Sequence, residues 1–247
     1  MTHRTSLFEF TPERHRDVRL LPGIDLAASF LTHYAEIGLD EVGAAAADYP
    51  LLFLKDSDTG RLRLVALLGL APRQNSYVID EVWQAVYLPL KIAVAPFCYS
   101  GAVRILCIDE ANPRVTTDDG DALFNDDASD TPVLVEIRKM LGRLEQGCAA
   151  ADRLIDMLLE LELVQAVSIT AVFVSGAEDL VQGLYSIDPR MFGMIEPAAL
   201  LNLHRADMLV PICTIIQSLN QLNRVKQLHN LGSGSKISAF RITMGVA

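Results

Sequence analysis

The sequence lacks long uninterrupted apolar segments. The longest one near the C-terminus, Met208 to Ile216, is interrupted by Pro211 and Thr214, whereas a membrane-spanning helix needs about 20 apolar residues. Residues Met1 to Phe10 also lack the apolar stretch and the small-residue cleavage site of a secretory signal peptide. We therefore predict no membrane span and a cytoplasmic location. Export to the cell surface without a cleaved signal is the alternative.

The sequence also lacks the short motifs that identify common enzyme classes. It has no G-x-S-x-G nucleophile turn, no G-x-G-x-x-G or G-x-x-x-x-G-K-[ST] phosphate-binding loop and no H-E-x-x-H metal motif. We therefore predict no bound cofactor and no metal site. Whether the protein is an enzyme stays open, and the missing motifs favour a protein that is not.

Cysteine is scarce and is not paired in sequence. The four cysteines form no C-x-x-C motif and have no zinc-ligand spacing. In a reducing compartment such residues are typically small buried apolar groups. A Cys98–Cys107 disulfide stays open as an alternative, if the two residues face each other across a hairpin.

Positive charge is in short supply. The formal net charge is −10, and the acidic residues concentrate between Asp109 and Asp130. The densest basic group, from Arg4 to Arg19, alternates with acidic residues, so we predict no nucleic-acid partner. The Asp-rich segment lacks the spacing of an EF-hand calcium loop, and we favour a solvated acidic loop over a calcium site.

The first half of the chain has the alternation that is typical of strands. Leu51 to Lys55 and Arg61 to Leu70 predict a hairpin, because the turn between them is rich in Asp, Ser and Gly. Asn75 to Asp80 and Ala102 to Asp109 are further predicted strands. For Val82 to Val94, both a helix and a strand followed by an extended segment stay open.

The second half begins with apolar residues spaced three and four apart, which predicts helices. We predict a helix from Thr131, and the pattern repeats over Ala149 to Leu163. Two β-branched segments, Val164 to Val174 and Val181 to Ile187, predict a second hairpin. Pro197 to Leu231 predicts a pair of helices.

Together these elements predict an α+β fold. An N-terminal, mostly antiparallel sheet with short helices precedes the helices, the second hairpin and the C-terminal helical pair. The length of 247 residues fits a single domain over residues 1–247. Residues 232–247 begin with Gly232-Ser233-Gly234-Ser235, which predicts a flexible tail, with a docked strand after it as the alternative.

Aromatic residues make up only 6% of the chain, yet several crowd together with prolines in its second quarter. Such a cluster suits a protein or peptide partner, because Tyr and Trp combine an apolar ring with a polar tip. The alternative, which we favour for these residues, is a buried corner in which the prolines fix the turns. The candidate partner-binding residues are Tyr77, Trp83, Tyr87, Pro89, Lys91, Pro96, Phe97 and Asp109.

A series of short motifs runs in a fixed order through most of the chain. The motifs are Tyr49-Pro50, Gly69-Leu70, Asn75 with Val78, Trp83, Tyr87 with Pro89, Pro96-Phe97, Cys107-Ile108-Asp109, Leu123-Phe124, and Gly183 with Tyr185. In this order they resemble the SapC family of bacterial proteins, over about residues 25–228. One difference is that family members carry basic residues just before Pro-Phe, where this chain has Lys91 alone.

The resemblance implies little chemistry. The family name comes from bacterial surface-layer loci, and relatives are also found near genes for oxygenases and flavin-dependent halogenases, which are therefore the implied partners. From the residues and the resemblance together, we predict a soluble non-catalytic binding or accessory protein that uses the aromatic and proline-rich surface. A surface-layer-associated component is the alternative. A second alternative is an enzyme with a dispersed site, in which Asp109, Tyr87 and Lys91 converge.

Overall fold

The computed structural model describes residues 6–57, 59–101 and 103–245. Its strands are, in chain order, β1 (Leu7–Glu9), β2 (Arg19–Leu20), β3 (Tyr34–Glu36), β4 (Leu51–Lys55), β5 (Leu62–Leu67), β6 (Val78–Ile79), β7 (Val82–Trp83), β8 (Phe97–Ser100), β9 (Ile105–Asp109), β10 (Val115–Thr116), β11 (Asp121–Ala122), β12 (Val164–Phe173), β13 (Glu178–Ile187) and β14 (Ile237–Met244). Its α-helices are α1 (Pro12–His15), α2 (Leu26–Phe30), α3 (Val42–Ala45), α4 (Leu90–Ala93), α5 (Pro132–Glu160), α6 (Pro189–Phe192), α7 (Pro197–Arg205), α8 (Leu209–Ser218) and α9 (Leu222–Gly232). Short 3-10 turns cover Leu39–Glu41 and Leu219–Gln221. The predicted α+β fold is confirmed.

The chain divides into two compact units. One contains residues 1–29 and 90–145, and the other contains residues 30–89 and 146–247. The long helix α5 therefore contributes its first part to one unit and its remainder to the other. The single domain expected from the sequence stays a prediction.

The second unit contains an antiparallel sheet with the strand order β14-β12-β13-β4-β5-β3. Both predicted hairpins are in it, as β4–β5 and β12–β13. One face of the sheet carries an apolar cluster that includes Val167, Ile169 and Leu184, and Leu222 of α9 packs onto it. Burial of these aliphatic side chains stabilises the sheet by about 1.5–3 kcal/mol each.

The first unit contains two three-stranded sheets, β1-β9-β8 and β10-β2-β11. Two rings pack against Phe10: Phe97 edge-on at a centroid distance of 5.2 Å, and Phe124 stacked at 5.1 Å. The predicted long acidic loop is partly ordered here, because β10 and β11 both pair with β2. Arg19 also donates a hydrogen bond to the carbonyl of Gly120 at 3.0 Å. Sequence alone missed these strands because each has only two residues.

The helices differ from the sequence expectation in two places. The two helical patterns predicted between Thr131 and Leu163 form one 29-residue helix, α5 (Pro132–Glu160). Its buried positions continue without a break from Leu134 through Leu144 to Leu158. The C-terminal pair breaks after Arg205 as expected, but a 3-10 turn then separates α8 from α9. Beyond α9, Ile237–Met244 is an edge strand of the sheet, which is the docked-strand alternative.

Within the described ranges, no single helix has the length and apolar character to cross a membrane. The α7 helix and the stretch Leu209–Gly232 pass that test only as a pair bent by 99°.

Candidate functional site

Three of the candidate residues meet in one place. Tyr77, Trp83 and Tyr87 lie in the second unit around Tyr49, which follows α3, and we call these four residues the aromatic corner. The ring centroids of Tyr49 and Tyr77 are 4.7 Å apart, and those of Tyr77 and Trp83 are 6.3 Å apart. Tyr49 and Tyr77 are fully buried, whereas Trp83 and Tyr87 are partly exposed.

The polar tips of the aromatic corner all have internal partners. Trp83 Nε1 donates to Tyr49 Oη at 3.2 Å, and Tyr49 Oη in turn donates to the carbonyl of Tyr87. Tyr77 Oη donates to the carbonyl of Asp48 at 2.6 Å, and Tyr87 Oη donates to Glu41 Oε1 at 2.8 Å. Buried polar groups need such partners, so these tips hold the corner together.

Two acidic residues position the backbone around the corner. Asp48 Oδ2 accepts from the amides of Val86 and Tyr87 at 3.0 and 2.9 Å, which fixes the loop before Pro89. Glu41 is 1% exposed, and its Oε2 accepts from the amide of Gly38 at 2.8 Å. Both carboxylates therefore accept hydrogen bonds from backbone amides and stabilise the local fold.

Helix α5 passes very close to the segment that carries Glu41. A Cβ atom on Gly147 would stand 2.7 Å from the Cα of Gly38, and a Cβ on Gly38 would stand equally close to Gly147. Real Cβ atoms do not approach a backbone atom this closely, so both positions require glycine. The two glycines thus let α5 pack directly beside the segment that carries Glu41.

Burial sets the ionisation of the corner. It raises the pKa of Tyr49 well above the ordinary value, although the hydrogen bond from Trp83 acts in the opposite direction. Burial also raises the pKa of Tyr77, with a further contribution from the charge of Asp48. Both phenols therefore stay neutral at physiological pH, and each donates a hydrogen bond to a backbone carbonyl.

The remaining candidate residues are spread over both units. Pro89 is buried in the second unit, and Lys91, Pro96, Phe97 and Asp109 belong to the first. Lys91 is exposed on α4, whereas Pro96 and Phe97 are buried. Asp109 Oδ1 accepts from the amides of Ser6 and Ala111 at 2.8 and 3.1 Å, so it caps a turn.

The first unit contains a buried histidine whose partner the sequence did not reveal. His15 Nε2 lies 3.0 Å from Glu110 Oε1, and Arg14 Nε donates to the same oxygen at 2.7 Å. The hydrogen bond from Arg14 lowers the pKa of Glu110. His15 and Asp17 have the H-x-D spacing that is also found in iron centres. Nowhere in the described part of the chain do three or more His, Cys, Asp or Glu side chains come together as metal ligands.

Cys98 and Cys107 do face each other across the β8–β9 hairpin. All four cysteines lie in the described ranges and are free thiols in the structure. Burial raises the pKa of both Cys98 and Cys107. Since the thiolate is the reactive form, these two side chains have the properties of structural residues.

One surface cavity carries mixed charges. It has a volume of about 380 Å³ and lies in the second unit, where Lys55, Arg61 and Tyr185 line it together with Asp152 and Asp156 of α5. Arg61 Nη2 is 3.5 Å from Asp156 Oδ2. The nearby Arg63 donates to both carboxylate oxygens of Asp152 at 2.9 Å. The acidic groups are therefore already paired with arginines.

The structure exposes apolar side chains in a region that sequence analysis did not select. Of the nine residues in α7, Leu203 is buried, and most of the others are exposed. The apolar residues that reach solvent on α6, α7, α8 and the turn after α6 define what we call the exposed helical surface: Met191, Met194, Leu200, Leu201 and Val210. A single exposed leucine is unremarkable, but several in one helical segment are typical of an interaction site.

Comparison with known proteins identifies a family. The sequence pattern of the SapC family matches residues 10–225, which is most of the chain. No curated protein and no solved structure gives a significant match. The resemblance inferred from the ordered motifs is thereby confirmed, and the chain belongs to the SapC family.

Proposed function

We propose that this protein is a non-catalytic binding protein that holds a protein partner on the exposed helical surface. The observation that carries the proposal is the exposure of α7, which keeps Leu200 and Leu201 43% and 45% exposed while it buries Leu203. A nine-residue helix is unstable on its own. That α7 is helical although few of its residues are buried is explained if a partner covers its apolar side.

Exposed apolar side chains also precede and follow α7 in the chain. Met194 precedes the helix and is 69% exposed, and Val210 in the first turn of α8 is 76% exposed. Methionine adapts its shape to different partners, and the buried centre of an interface is more apolar than its rim. The surface therefore combines two adaptable methionines with aliphatic side chains that a partner could remove from water.

The charge of the region indicates the kind of partner. Residues 189–244 contain six Lys or Arg and two Asp or Glu, a formal charge of +4, whereas the whole chain has −10. Arg205 is exposed on α7, and Arg190 is exposed at the start of α6, where it pairs with Asp188 at 3.6 Å. Complementary charge favours association, so the expected partner presents an apolar patch bordered by acidic residues.

A double substitution tests this proposal. Leu200→Ser with Leu201→Ser removes apolar contact area from exposed positions, so the fold is retained. In pull-downs from the native cells with quantitative mass spectrometry, we expect the variant to lose about tenfold or more of the wild-type partner. Leu159→Ser is the matched control, because Leu159 is 48% exposed on α5 and lies outside the surface.

The outcomes are distinct. Equal recovery of every wild-type partner by the double variant contradicts the proposal. Flotation of the wild-type protein with vesicles that contain anionic lipid, without recovery of any protein partner, also contradicts it. In that case the apolar and basic side chains bind a lipid surface. The oxygenases and halogenases implied by the family resemblance are the first partners to test with purified proteins.

The second candidate is the surface beside the aromatic corner, which includes residues that the sequence analysis named as candidates for partner binding. Its support is the exposure of Val86 at 99% and Val82 at 56%, next to the partly exposed Trp83 and Tyr87. Tyr77 is fully buried and would act only by shaping this surface. Val86→Ser leaves the hydrogen bonds of the corner intact. Loss of the partner in this variant, with retention in the Leu200→Ser and Leu201→Ser variant, would select this surface.

The surface-layer and enzyme alternatives stay predictions. For the dispersed site, Tyr87 belongs to one unit and Lys91 and Asp109 to the other. The Tyr87 hydroxyl and the Asp109 carboxylate already make internal hydrogen bonds. Cell fractionation tests the surface-layer alternative, which predicts native protein in the cell-surface fraction.

A further inference from the structure

The C-terminal strand β14 leaves one edge of the six-stranded sheet open. Among the described strands, β12 is its neighbour on one side, and none pairs with the other side. Open edges are sites at which further strands add, because their backbone groups are free. This strand lies beyond residues 10–225, the part of the chain that matches the family.

The ladder shows which backbone groups of β14 face outward. The amide of Gly245 donates to the carbonyl of Ala166 at 3.0 Å, and opposite residues in an antiparallel ladder alternate between bonded and non-bonded pairs. Counting back from Gly245 two residues at a time, the amides and carbonyls of Thr243 and Arg241 therefore also face β12. Those of Met244, Ile242 and Phe240 face the open edge.

The two ends of this edge differ. Near its start, Asn230 of α9 bonds both the amide and the carbonyl of Ile237, at 2.7 and 2.9 Å. Lys226 Nζ lies 3.5 Å from the carbonyl of Ser238. No described residue makes a corresponding contact with the outward groups of Phe240, Ile242 and Met244. The open part of the edge is therefore the segment Phe240–Met244.

The side chains of Phe240–Met244 alternate between the two faces of the sheet, in a pattern that is symmetric about Ile242. Phe240, Ile242 and Met244 lie on the face of the apolar cluster, opposite Ala171, Ile169 and Val167 of β12, whereas Arg241 and Thr243 lie on the other face. Ile242 is 42% exposed although it is on the core face. The pattern apolar, polar, apolar, polar, apolar is the same in both directions around Ile242.

We infer that β14 pairs antiparallel with β14 of a second copy of this chain, with Ile242 at the two-fold axis. In that register, Phe240 of each copy lies opposite Met244 of the other, and the apolar clusters of the two sheets become continuous. A two-fold interface requires a self-complementary surface, which this alternation provides. The occupant is thus a second copy rather than an unrelated strand.

Electrostatics permits the contact and predicts its salt dependence. Arg241 would lie opposite Thr243 of the other copy, and its charge is already paired with Glu178 at 2.5 Å. No like charges are therefore placed directly opposite each other across the joint. The net charge of −10 still repels two copies at long range, so added salt should strengthen the dimer.

The joint is small, so the dimer is weak. Five residues from each copy bury less than the roughly 1,000 Å² of a stable interface. We therefore expect a weak dimer, with a dissociation constant of about 10 μM to 1 mM. Sedimentation equilibrium of the full chain over that concentration range is the appropriate measurement. We expect a monomer–dimer equilibrium that shifts toward the dimer as sodium chloride is added.

Substitutions identify the surface that is used. Ile242→Lys places a charge at the two-fold axis and should weaken the dimer about tenfold or more. Ile242→Thr keeps β-branching and should weaken it less. Leu180→Lys is the matched control, because Leu180 is 56% exposed on β13, away from the edge, and it should leave the dimer unchanged. Circular dichroism of each variant checks the fold.

The contrary results are clear. A wild-type protein that stays monomeric at about 1 mM, or a dimer that Ile242→Lys and Leu180→Lys leave equally intact, overturns the inference. Capture of an unrelated peptide strand at β14 by a monomeric wild-type protein does so as well. Protection of the Phe240, Ile242 and Met244 amides from hydrogen exchange in the dimer, and not in the monomer, supports it.

Discussion

The aromatic corner and the exposed helical surface differ in how well their amino-acid composition predicts their exposure to solvent. The corner concentrates Tyr and Trp, yet Tyr49 and Tyr77 are fully buried and the polar tips of all four residues bond to the protein itself. The helical surface has ordinary composition, yet Leu200 and Leu201 remain in solvent. In this chain, the polar tips of the aromatic cluster are therefore already used within the protein.

The difference also separates two roles. The Asp48 carboxylate beside the corner fixes the loop before Pro89. On the helical surface, Leu200 and Leu201 are exposed at 43% and 45%, so their side chains contribute little to the buried core. We therefore expect substitutions in the corner to change stability and substitutions on the helical surface to change binding.

Truncation of the corner should have the largest effect on stability. Tyr77→Ala removes a fully buried ring and its hydrogen bond to Asp48, which should lower the free energy of unfolding by about 3–5 kcal/mol. Leu201→Ala removes a partly exposed side chain and should change it by about 0.5 kcal/mol or less. Urea denaturation measures both. Equal losses for the two variants would remove the distinction between the regions.

Two glycines of helix α5 provide a matched pair of substitutions that tests its close packing beside the corner. Gly147→Ala would place a Cβ 2.7 Å from the Cα of Gly38, so the segment that carries Glu41 must move, at a cost of about 1–3 kcal/mol. Gly142 lies in the same helix with nothing within 4 Å of its Cβ position. Gly142→Ala should therefore stabilise the helix by up to about 1 kcal/mol.

Thermal denaturation of the two glycine variants checks this sign difference. Stabilisation by both substitutions would show that α5 does not require the close approach at Gly147.

Alkaline pH should loosen the corner. Burial raises the pKa of Tyr49 and Tyr77 in the folded state. Their stabilising contribution is therefore complete below the ordinary tyrosine pKa of about 10 and is lost as the pH rises above it. Of the six tyrosines, these two should ionise only together with unfolding. Phenolate absorbance measures the ionisation and circular dichroism measures the unfolding in one pH titration. Ionisation of all six tyrosines in the folded protein would contradict the prediction.

Local patterns in the sequence predicted much of the fold. The turn between Lys55 and Arg61 and the alternation around it located the β4–β5 hairpin, and β-branched residues located β12 and β13. The 3,4-spacing located α5, although not its continuity through Gly147. Strands of two residues, such as β10 and β11, carry no periodic signal, because they form only where β2 lies beside them.

The site was less accessible to sequence reasoning. The hydroxyl of Tyr77 bonds the carbonyl of Asp48, 29 positions away, and Trp83 bonds Tyr49, 34 positions away. No local pattern reports such pairings. The apolar residues of α7 predict a helix with an apolar side, but not whether the rest of the chain covers that side. The positive charge of residues 189–244 was the one available signal.

Site-specific photo-crosslinking in the native cells tests the central claim most directly. A photoreactive amino acid is placed at Leu201 on the helical surface or at Val86 beside the aromatic corner. Both side chains are exposed, so neither replacement disturbs the core. We predict a crosslinked protein partner from position 201 and none from position 86. A partner crosslinked from position 86 and not from position 201 would contradict the account.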